Sequence, residues 1–270
     1  MKITFLGGGN MASALIGGLL NNGFPASEIA VIEIGAEHRA RLIKKYHITC
    51  YAEPEAAALQ CDILLLSVKP QQMREVCLPL QNRLQQQLVI SVAAGVRLAD
   101  LSRWLGGHDK LVRAMPNTPA LIGSGVTGLF AMPSVSEAER LGAGRVMQAV
   151  GSTLWVSSEA QIDALTAISG SGPAYVFLFI EALEQAAVEL GFTAKEAKQL
   201  ALETTLGAAK LAAQSDEPAH LLRERVISKG GTTEAALQAM AKHGFKEAVR
   251  AGAFAAQARG GELGELLGKD

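Results

Sequence analysis

The sequence has little cysteine, almost no net charge and no long apolar run, and each absence excludes a class of function. Its three cysteines, Cys50, Cys61 and Cys77, lack the paired spacing of a metal or redox motif. Such a scattered, odd-numbered set is typical of a reducing compartment. The five histidines are equally dispersed, so the sequence predicts no metal site.

Charge is balanced along the chain, with 25 Lys and Arg against 26 Asp and Glu and a net charge of −1. Nucleic-acid and anionic-membrane surfaces need dense basic blocks, so we expect neither as a partner. No apolar run approaches the length of a transmembrane helix, and residues 176–180 form one of the longest. Met1 and Lys2 lead directly into a strand pattern and not into a signal peptide, which predicts a cytoplasmic protein.

The first half of the chain predicts a Rossmann-type dinucleotide-binding domain. A short apolar strand ending at Leu6 meets Gly7-Gly8-Gly9-Asn10-Met11-Ala12 and then a helical pattern, which is the G-x-G-x-x-A fingerprint in its required context. A second strand ends at Glu33, where the fingerprint places a carboxylate for the ribose 2′-hydroxyl. The pyrophosphate is expected at the amides that begin the helix.

Strand and helix patterns continue to alternate up to residue 158. Apolar strands are predicted at 62–68, 88–92, 110–115, 125–130 and 154–156, with a helix over 71–84. Ligands of such sheets bind outside the carboxyl ends of strands. Three segments lie at these ends, namely 67–70, 92–95 and 115–119, and the last is stiffened by two prolines around Asn117.

From Glu159 onward the chain is rich in alanine and predicts an all-α domain over residues 159–270, following an α/β domain over 1–158. Helices are predicted around residues 176–190, 193–213, 217–226, 232–243 and 245–259. Their apolar faces are too large for one small core, which favours a partner subunit over a self-contained bundle.

The run Ser228-Lys229-Gly230-Gly231-Thr232-Thr233 interrupts this helical half. Adjacent glycines weaken a helix by roughly 1 kcal/mol each relative to alanine, which is tolerable where backbone amides are needed. The threonines then begin a helix, and its bare amides form an anion site suited to a carboxylate or phosphate. An ordinary loop between helices is the alternative.

Five strings together resemble the pyrroline-5-carboxylate reductase family, in order and over nearly the whole chain. They are residues 5–11, 67–70, 115–120, 169–175 and 228–233. The resemblance implies reduction of 1-pyrroline-5-carboxylate to L-proline with NADPH or NADH, the last step of proline synthesis. It also implies a homodimer interlocked through the helical domain, often assembled further into rings such as a decamer.

The resemblance also implies roles for individual residues. Matching positions make Thr233 the catalytic hydroxyl, and Glu159, Gly230, Gly231, Thr232 and Thr233 the substrate contacts. The implied cofactor contacts, together with Glu33 and Asn117 from the reasoning above, are Leu6, Gly7, Gly8, Gly9, Asn10, Met11, Ser67, Val68, Lys69, Pro70, Val92, Ala93 and Ala94. Lys229 stands where the family usually has proline, and Arg225 where an amide is common, so the roles of both positions are open.

Two other functions fit parts of the pattern. A different Rossmann-plus-helical reductase, such as a 3-hydroxyacid dehydrogenase or another imine reductase, needs a catalytic lysine or aspartate in the helical domain. Lys195, Lys198 and Lys210 look instead like solvated charges. A dinucleotide sensor without catalysis is the second alternative. For the cofactor, Glu33 favours a ribose hydroxyl, while His38, Arg39 and Arg41 could reach a phosphate, so we expect both cofactors to be used with NADH competitive.

Overall fold

The structure is a computed structural model that describes residues 1–269, and these form two compact units. The first unit comprises residues 1–171 together with residues 256–269, and the second comprises residues 172–255. The division therefore falls later than the predicted domain boundary after Ser158, and the end of the chain returns to the first unit. The side-chain contacts of residues 159–171 and 256–269 explain both differences.

One eight-stranded sheet forms the centre of the first unit. Its strands are β1 (Ile3–Leu6), β2 (Ile29–Ile32), β3 (Thr49–Tyr51), β4 (Ile63–Leu66), β5 (Leu88–Ser91), β6 (Leu111–Met115), β7 (Gly125–Ala131) and β8 (Gly151–Trp155). Their order is β3-β2-β1-β4-β5-β6-β7-β8, and only the β6–β7 pair is antiparallel. The chain direction of the crossovers reverses between β1 and β4, which is where such sheets bind ligands.

Helices cover both faces of this sheet. They are α1 (Asn10–Asn21), α2 (Ala36–Tyr46), α3 (Met73–Cys77), α4 (Leu98–Trp104), α5 (Glu137–Gln148) and α6 (Glu159–Leu165). Because side chains alternate along a strand, Phe5 packs in the core with α1 and α5, while its neighbour Leu6 packs with α3 and α4. The α/β architecture predicted from the sequence is confirmed.

The helix predicted over residues 71–84 is shorter than expected. Only α3 is α-helical there, and single 3₁₀ turns flank it at Pro70–Gln72 and Leu78–Leu80. Pro79 has no backbone N–H to continue the helical bonding, and this accounts for the early end. Four further elements, β3, α2, α4 and α5, were not individually predicted.

The second unit contains helices only, within its described residues. They are α7 (Gly172–Glu189), α8 (Ala194–Ala213), α9 (Ala219–Arg225), α10 (Thr232–Lys242) and the beginning of α11 (Phe245–Leu267). The predicted helix boundaries agree closely, apart from α11, which continues beyond Arg259. Gly191 ends the α7 pattern with a φ of +102°, the backbone conformation that favours glycine after a helix.

We expected no apolar segment long enough to cross a membrane, and one helical stretch contradicts this expectation. A π-helical segment at Thr166–Gly170 connects α6 to α7, so that Glu159–Glu189 forms one helical stretch. By length and composition alone this stretch could cross a membrane, with 11% of its most apolar window buried. The sequence pattern predicts a helix only around residues 176–190, after Pro173, but proline is tolerated in a first helical turn.

The last turns of α11 pack on the first unit. Leu267 contacts the core formed with α3 and α4, and the Arg103 guanidinium donates to the Gly268 carbonyl at 2.8 Å. Gly95 has a φ of +76°, and a Cβ there would lie 3.4 Å from Leu263 Cβ. This close approach explains why residues 256–269 belong with the sheet.

Candidate cofactor cleft and anion site

The glycine turn after β1 has the geometry of a dinucleotide cradle. Gly7 has a φ of +97°, and a Cβ on it would lie 2.9 Å from Val68 Cγ1, so only glycine fits. A Cβ on Gly9, in contrast, would meet nothing within 4 Å. The first helical bond of α1 runs from Ser13 N–H to Gly9 O, which leaves the preceding amides directed out of the helix start.

Ser67 fastens the glycine turn to the end of β4. Its hydroxyl donates to Gly7 O at 2.7 Å, and its N–H donates to Leu6 O at 2.9 Å. The predicted Ser67 and Val68 therefore shape the turn through their packing and hydrogen bonds. Both contribute to a cleft at the carboxyl ends of β1, β2 and β4.

The Glu33 carboxylate is held at this cleft by two backbone amides. Its Oε2 accepts from Gly8 N–H at 3.0 Å, and its Oε1 accepts from Gly35 N–H at 2.8 Å. The side chain is only 15% exposed. A carboxylate fixed in this way is an acceptor for ribose hydroxyls next to the glycine turn.

The cleft encloses about 470 Å³ and carries an excess of acidic groups. Its charged side chains are those of Glu33, Glu53, Glu75 and Lys69, and His38 also lies on its wall. His38 Nδ1 is 3.6 Å from Glu33 Oε2. The remaining predicted residues on the wall are Leu6, Gly7, Gly8, Gly9, Ser67 and Val68.

Seven predicted cofactor residues do not line this cleft. Asn10 and Met11 begin α1, Pro70 follows Lys69 into a 3₁₀ turn, Val92 to Ala94 follow β5, and Asn117 follows β6. Ala93 is buried, while Ala94 is exposed. Cofactor contact at these positions stays a prediction.

The Asn117 side chain forms two hydrogen bonds with backbone groups of other segments. Its Oδ1 accepts from Val126 N–H at 2.9 Å, and its Nδ2 donates to Ser169 O at 3.1 Å. The side chain is 9% exposed. These bonds tie the loop after β6 both to β7 and to the π-helical segment, so Asn117 holds the loop in place.

Glu159 lies beside a buried arginine. Its Oε1 accepts from Arg113 Nη1 at 3.2 Å and from Leu98 N–H at 2.8 Å, while Asp163 Oδ1 lies 2.6 Å from Arg113 Nη2. Arg113 is 2% exposed. These ion pairs attach α6 to β6 and explain why residues 159–171 belong to the first unit. Substrate contact by Glu159 stays a prediction.

The predicted anion site begins α10 in the second unit. Two of its four amides have partners within the chain, because Gly230 N–H donates to Glu234 Oε2 at 2.6 Å and Gly231 N–H donates to Ser228 O at 2.8 Å. The first helical bond runs from Ala235 N–H to Gly231 O, so the amides of Thr232 and Thr233 have no partner among residues 1–269. The expected four-amide cradle is thus reduced to two.

Arg225, one of the two departures from the family pattern, forms a surface ion pair with the Glu217 carboxylate. Lys229, the other, is exposed. The Thr233 side chain is half-buried, and its hydroxyl has no hydrogen-bond partner within the described part of the chain.

The cysteines and the acidic and histidine side chains of the described residues bear on thiol and metal chemistry. Burial raises the pKa of the Cys50, Cys61 and Cys77 thiols, that of Cys77 to about 12, so the reactive thiolate is scarce near neutral pH. Among residues 1–269, no group of three His, Cys, Asp or Glu side chains could hold a metal ion.

The part of the cleft wall that follows β3 was not among the predicted site residues. Glu53 and Pro54 line the cleft there, and Gln72, Glu75 and Val76 contribute from the segment around α3. β3 has three residues and no apolar alternation, so it gives no usable signal. The amphipathic spacing of α3 could have indicated its cleft-facing side.

The residues present fit a nicotinamide dinucleotide. The open space beside Gly9 lies at the start of α1, where backbone amides attract a pyrophosphate, and Glu33 offers an acceptor for the ribose. The fit is to the adenosine and pyrophosphate part of the molecule.

Comparison with known proteins agrees with both halves of this description. Residues 2–95 match the family model "NADP oxidoreductase coenzyme F420-dependent", and residues 159–263 match "Pyrroline-5-carboxylate reductase dimerisation". A pyrroline-5-carboxylate reductase of Pseudomonas aeruginosa is 46% identical over 99% of this chain and 98% of its own length. That of Haemophilus influenzae is 41% identical over 98% of each.

Solved structures give the same result. A pyrroline-5-carboxylate reductase from Coxiella burnetii superposes with a TM-score of 0.92 at 40% identity, covering 97% of this chain and 98% of that one. The Plasmodium falciparum enzyme with NADP bound gives 0.87 at 30% identity, covering 98% of both chains. A 3-hydroxyisobutyrate dehydrogenase of Mycobacterium tuberculosis, at 12% identity and a TM-score of 0.52, shares the fold alone.

Proposed function

This chain belongs to the pyrroline-5-carboxylate reductase family, and we propose that it reduces 1-pyrroline-5-carboxylate to L-proline with NAD(P)H as the final step of proline biosynthesis. The full-length similarity to reductases of that name is the observation that carries the proposal. The dinucleotide cleft and the start of α10 supply the two binding functions that the reaction needs.

The reaction replaces a C=N π bond by a new C–H bond. When bound, the cofactor supplies the hydride with its two electrons and is oxidised to NAD(P)⁺. The protonated imine nitrogen keeps its proton and becomes the secondary amine of proline. The protein has to orient the substrate, exclude water and stabilise the charges that change.

The start of α10 is suited to the substrate carboxylate. The amides of Thr232 and Thr233 have no partner among the described residues and point out of a helix N-terminus, where the helix dipole also attracts an anion. Because Glu234 Oε2 already accepts from Gly230 N–H, we place the carboxylate at the threonine amides.

The hydroxyl of Thr233 is placed to contact the ring nitrogen in this proposal. It has no partner among the described residues and is free to donate or accept. As the hydride adds to the carbon, the C=N π pair becomes a lone pair on nitrogen, to which the Thr233 hydroxyl can donate. Because this hydrogen bond grows towards the transition state, it lowers the barrier more than it tightens substrate binding. Glu159 is the second proposed substrate contact, acting through the carboxylate that also neutralises Arg113.

The working state we propose is a cytoplasmic homodimer that can assemble into a larger ring of dimers, such as a decamer, without a nucleic-acid or membrane partner. The dimerisation family model covers residues 159–263, which include the apolar stretch long enough to cross a membrane. Contact between subunits accounts for that apolar surface without a bilayer.

Thr233→Ala tests the role of the hydroxyl. We expect kcat/KM for pyrroline-5-carboxylate to fall by about 10–100-fold, since one such donor is worth up to 10²–10³ where water is excluded. Thr233→Ser, which keeps the hydroxyl, should recover most of the activity. Cofactor affinity, measured by fluorescence titration, should stay within about twofold.

Thr193→Ala is the matched control, because Thr193 caps the start of α8 in the same unit by accepting from Glu196 N–H at 3.3 Å. It should lower stability by about 1 kcal/mol and leave kcat/KM unchanged. Full activity of Thr233→Ala would remove the hydroxyl from the mechanism. A wild-type protein unable to form proline with either cofactor would overturn the proposed function itself.

A further inference from the structure

The carboxylate of Glu33 is a fixed negative charge at the position where the Rossmann fingerprint places the adenosine ribose, the part in which the two nicotinamide dinucleotides differ. NADPH carries a 2′-phosphate on the adenosine ribose, whereas NADH has a hydroxyl there. Two backbone amides, at 3.0 and 2.8 Å, hold the carboxylate against the glycine turn. Rotating it away to admit a phosphate would leave both amides without this acceptor.

The cations nearby are engaged elsewhere. Arg39 Nη1 donates to the carbonyls of Glu33 and Ile34 at 2.7 and 2.8 Å, and its side chain does not line the cleft. Arg41 lies 3.7 Å from the Glu37 carboxylate on the surface of α2. Neither arginine lines the cleft, and Arg39 is held by two backbone carbonyls.

The rest of the cleft wall also offers few groups that could bind a phosphate. Ile34 lines the cleft, is 84% exposed and has no side-chain donor. Glu53 and Glu75 add two further carboxylates, against the single ammonium of Lys69. His38, also on the wall, lies next to Glu33.

From this arrangement we propose that the cleft selects NADH over NADPH and that Glu33 is the residue that determines the selection. The carboxylate accepts hydrogen bonds from the ribose diol of NADH and repels the 2′-phosphate of NADPH. The inference rests on the proposed function for the use of a nicotinamide dinucleotide. The proposed function allows either cofactor, and the inference adds a preference for NADH.

The test measures binding separately from catalysis. Fluorescence titration of the full-length protein without substrate gives Kd for NADH and for NADPH, and steady-state kinetics gives kcat/KM with each. We expect NADH to bind at least about tenfold more tightly at low salt, with the ratio narrowing as salt screens the repulsion. Tighter binding of NADPH by the wild-type protein would overturn the inference.

Glu33→Gln removes the charge while keeping an amide oxygen to accept from one of the two N–H groups. Its Kd for NADPH should fall about tenfold or more, with that for NADH changing only a few-fold. Glu37→Gln removes an acid of the same type from the exposed surface of α2, away from the cleft wall, and should leave the ratio within about twofold of wild type. If Glu33→Gln leaves the ratio of the two Kd values unchanged, another residue determines the cofactor preference.

The two proposals fail in different ways. If the wild-type protein shows no cofactor preference but still forms proline, the role of Glu33 is refuted and the reaction stands. A clear NADH preference in binding, without reduction of pyrroline-5-carboxylate, would refute the reaction alone. If Glu33→Gln does not fold, the wild-type ratio of the two Kd values and its salt dependence still decide the matter.

Discussion

The first unit encloses its apolar side chains on both faces of a sheet, whereas the second leaves most of its own exposed. Both buried clusters of the chain lie in the first unit. In the second, Ala197 and Ala201 are the only buried residues within the described chain, while Phe177, Leu178 and Phe254 are each more than half exposed. A helical unit with so little core of its own depends on another surface for stability.

The same contrast extends to the two proposed binding sites. The cleft is built from close contacts around Gly7 and Ser67, all of which lie within a single chain. The start of α10 is a helix N-terminus in a unit whose family match is a dimerisation domain. We therefore expect cofactor binding to tolerate loss of the dimer better than proline formation does.

The largest expected effect comes from placing charge in the apolar face of α7. Phe177 and Leu178 are 65% and 66% exposed in the single chain, and we expect the dimer to bury them. Changing both to Glu should raise the dimer dissociation constant by about 10³-fold or more, because each buried carboxylate costs several kcal/mol. Sedimentation measured across protein concentrations gives the constant.

Leu141→Glu is the control for that substitution. Leu141 is 57% exposed on α5 in the first unit, so its charge should leave the dimer intact. Equal weakening by both variants would show that the contrast between the units is mistaken. If the α7 variant stays dimeric at nanomolar concentration, the interface lies on another face.

How far the sequence predicts this molecule depends on the range of the interactions. The glycine turn, Glu33 and the strand ends follow from local patterns within about thirty residues, and the cleft contains the predicted Leu6–Gly9, Glu33 and Ser67–Lys69. The partners of Arg113 lie 46 and 50 residues away, so the apolar strand around it gives no sign of the ion pairs. Docking of the end of α11 on Gly95 is equally invisible to helical periodicity.

Arg113 tests whether α6 belongs with the sheet. Arg113→Met keeps the length of the side chain but leaves Glu159 and Asp163 without their buried partner, which typically costs 3–5 kcal/mol. The free energy of unfolding in urea, measured at one fixed protein concentration, should fall by roughly that amount.

Arg259→Met provides the comparison, because the Arg259–Glu262 pair is 60% exposed on both sides and should contribute less than about 1 kcal/mol. Adding Glu159→Gln and Asp163→Asn to Arg113→Met should recover part of the stability by removing the unpaired charges. A loss below about 1 kcal/mol for Arg113→Met would mean that water reaches the cluster.

The smallest effect concerns packing within the first unit. Two adjacent glycines on α1 differ in what a Cβ would meet: at Gly18 it would lie 2.3 Å from Ala149 O, and at Gly17 it would lie 3.7 Å from the Tyr46 ring. Gly18→Ala has to push backbone aside and should destabilise the protein by about 1–3 kcal/mol. Gly17→Ala makes ordinary contact and should stabilise it by up to about 1 kcal/mol through helix propensity.

Since both changes add one methyl group to the same helix, helix propensity cancels in the difference between them, and what remains is the close approach of α1 to the chain before β8. Thermal unfolding of the two variants at matched concentration gives that difference.

A third variant, Gly207→Ala, tests α8 of the second unit, where a Cβ would meet nothing within 4 Å in the single chain. If a partner helix packs there, this third variant should weaken the dimer while leaving the first unit unchanged. Stabilisation by all three variants would show that the first unit is no more tightly packed at α1 than the second is at α8.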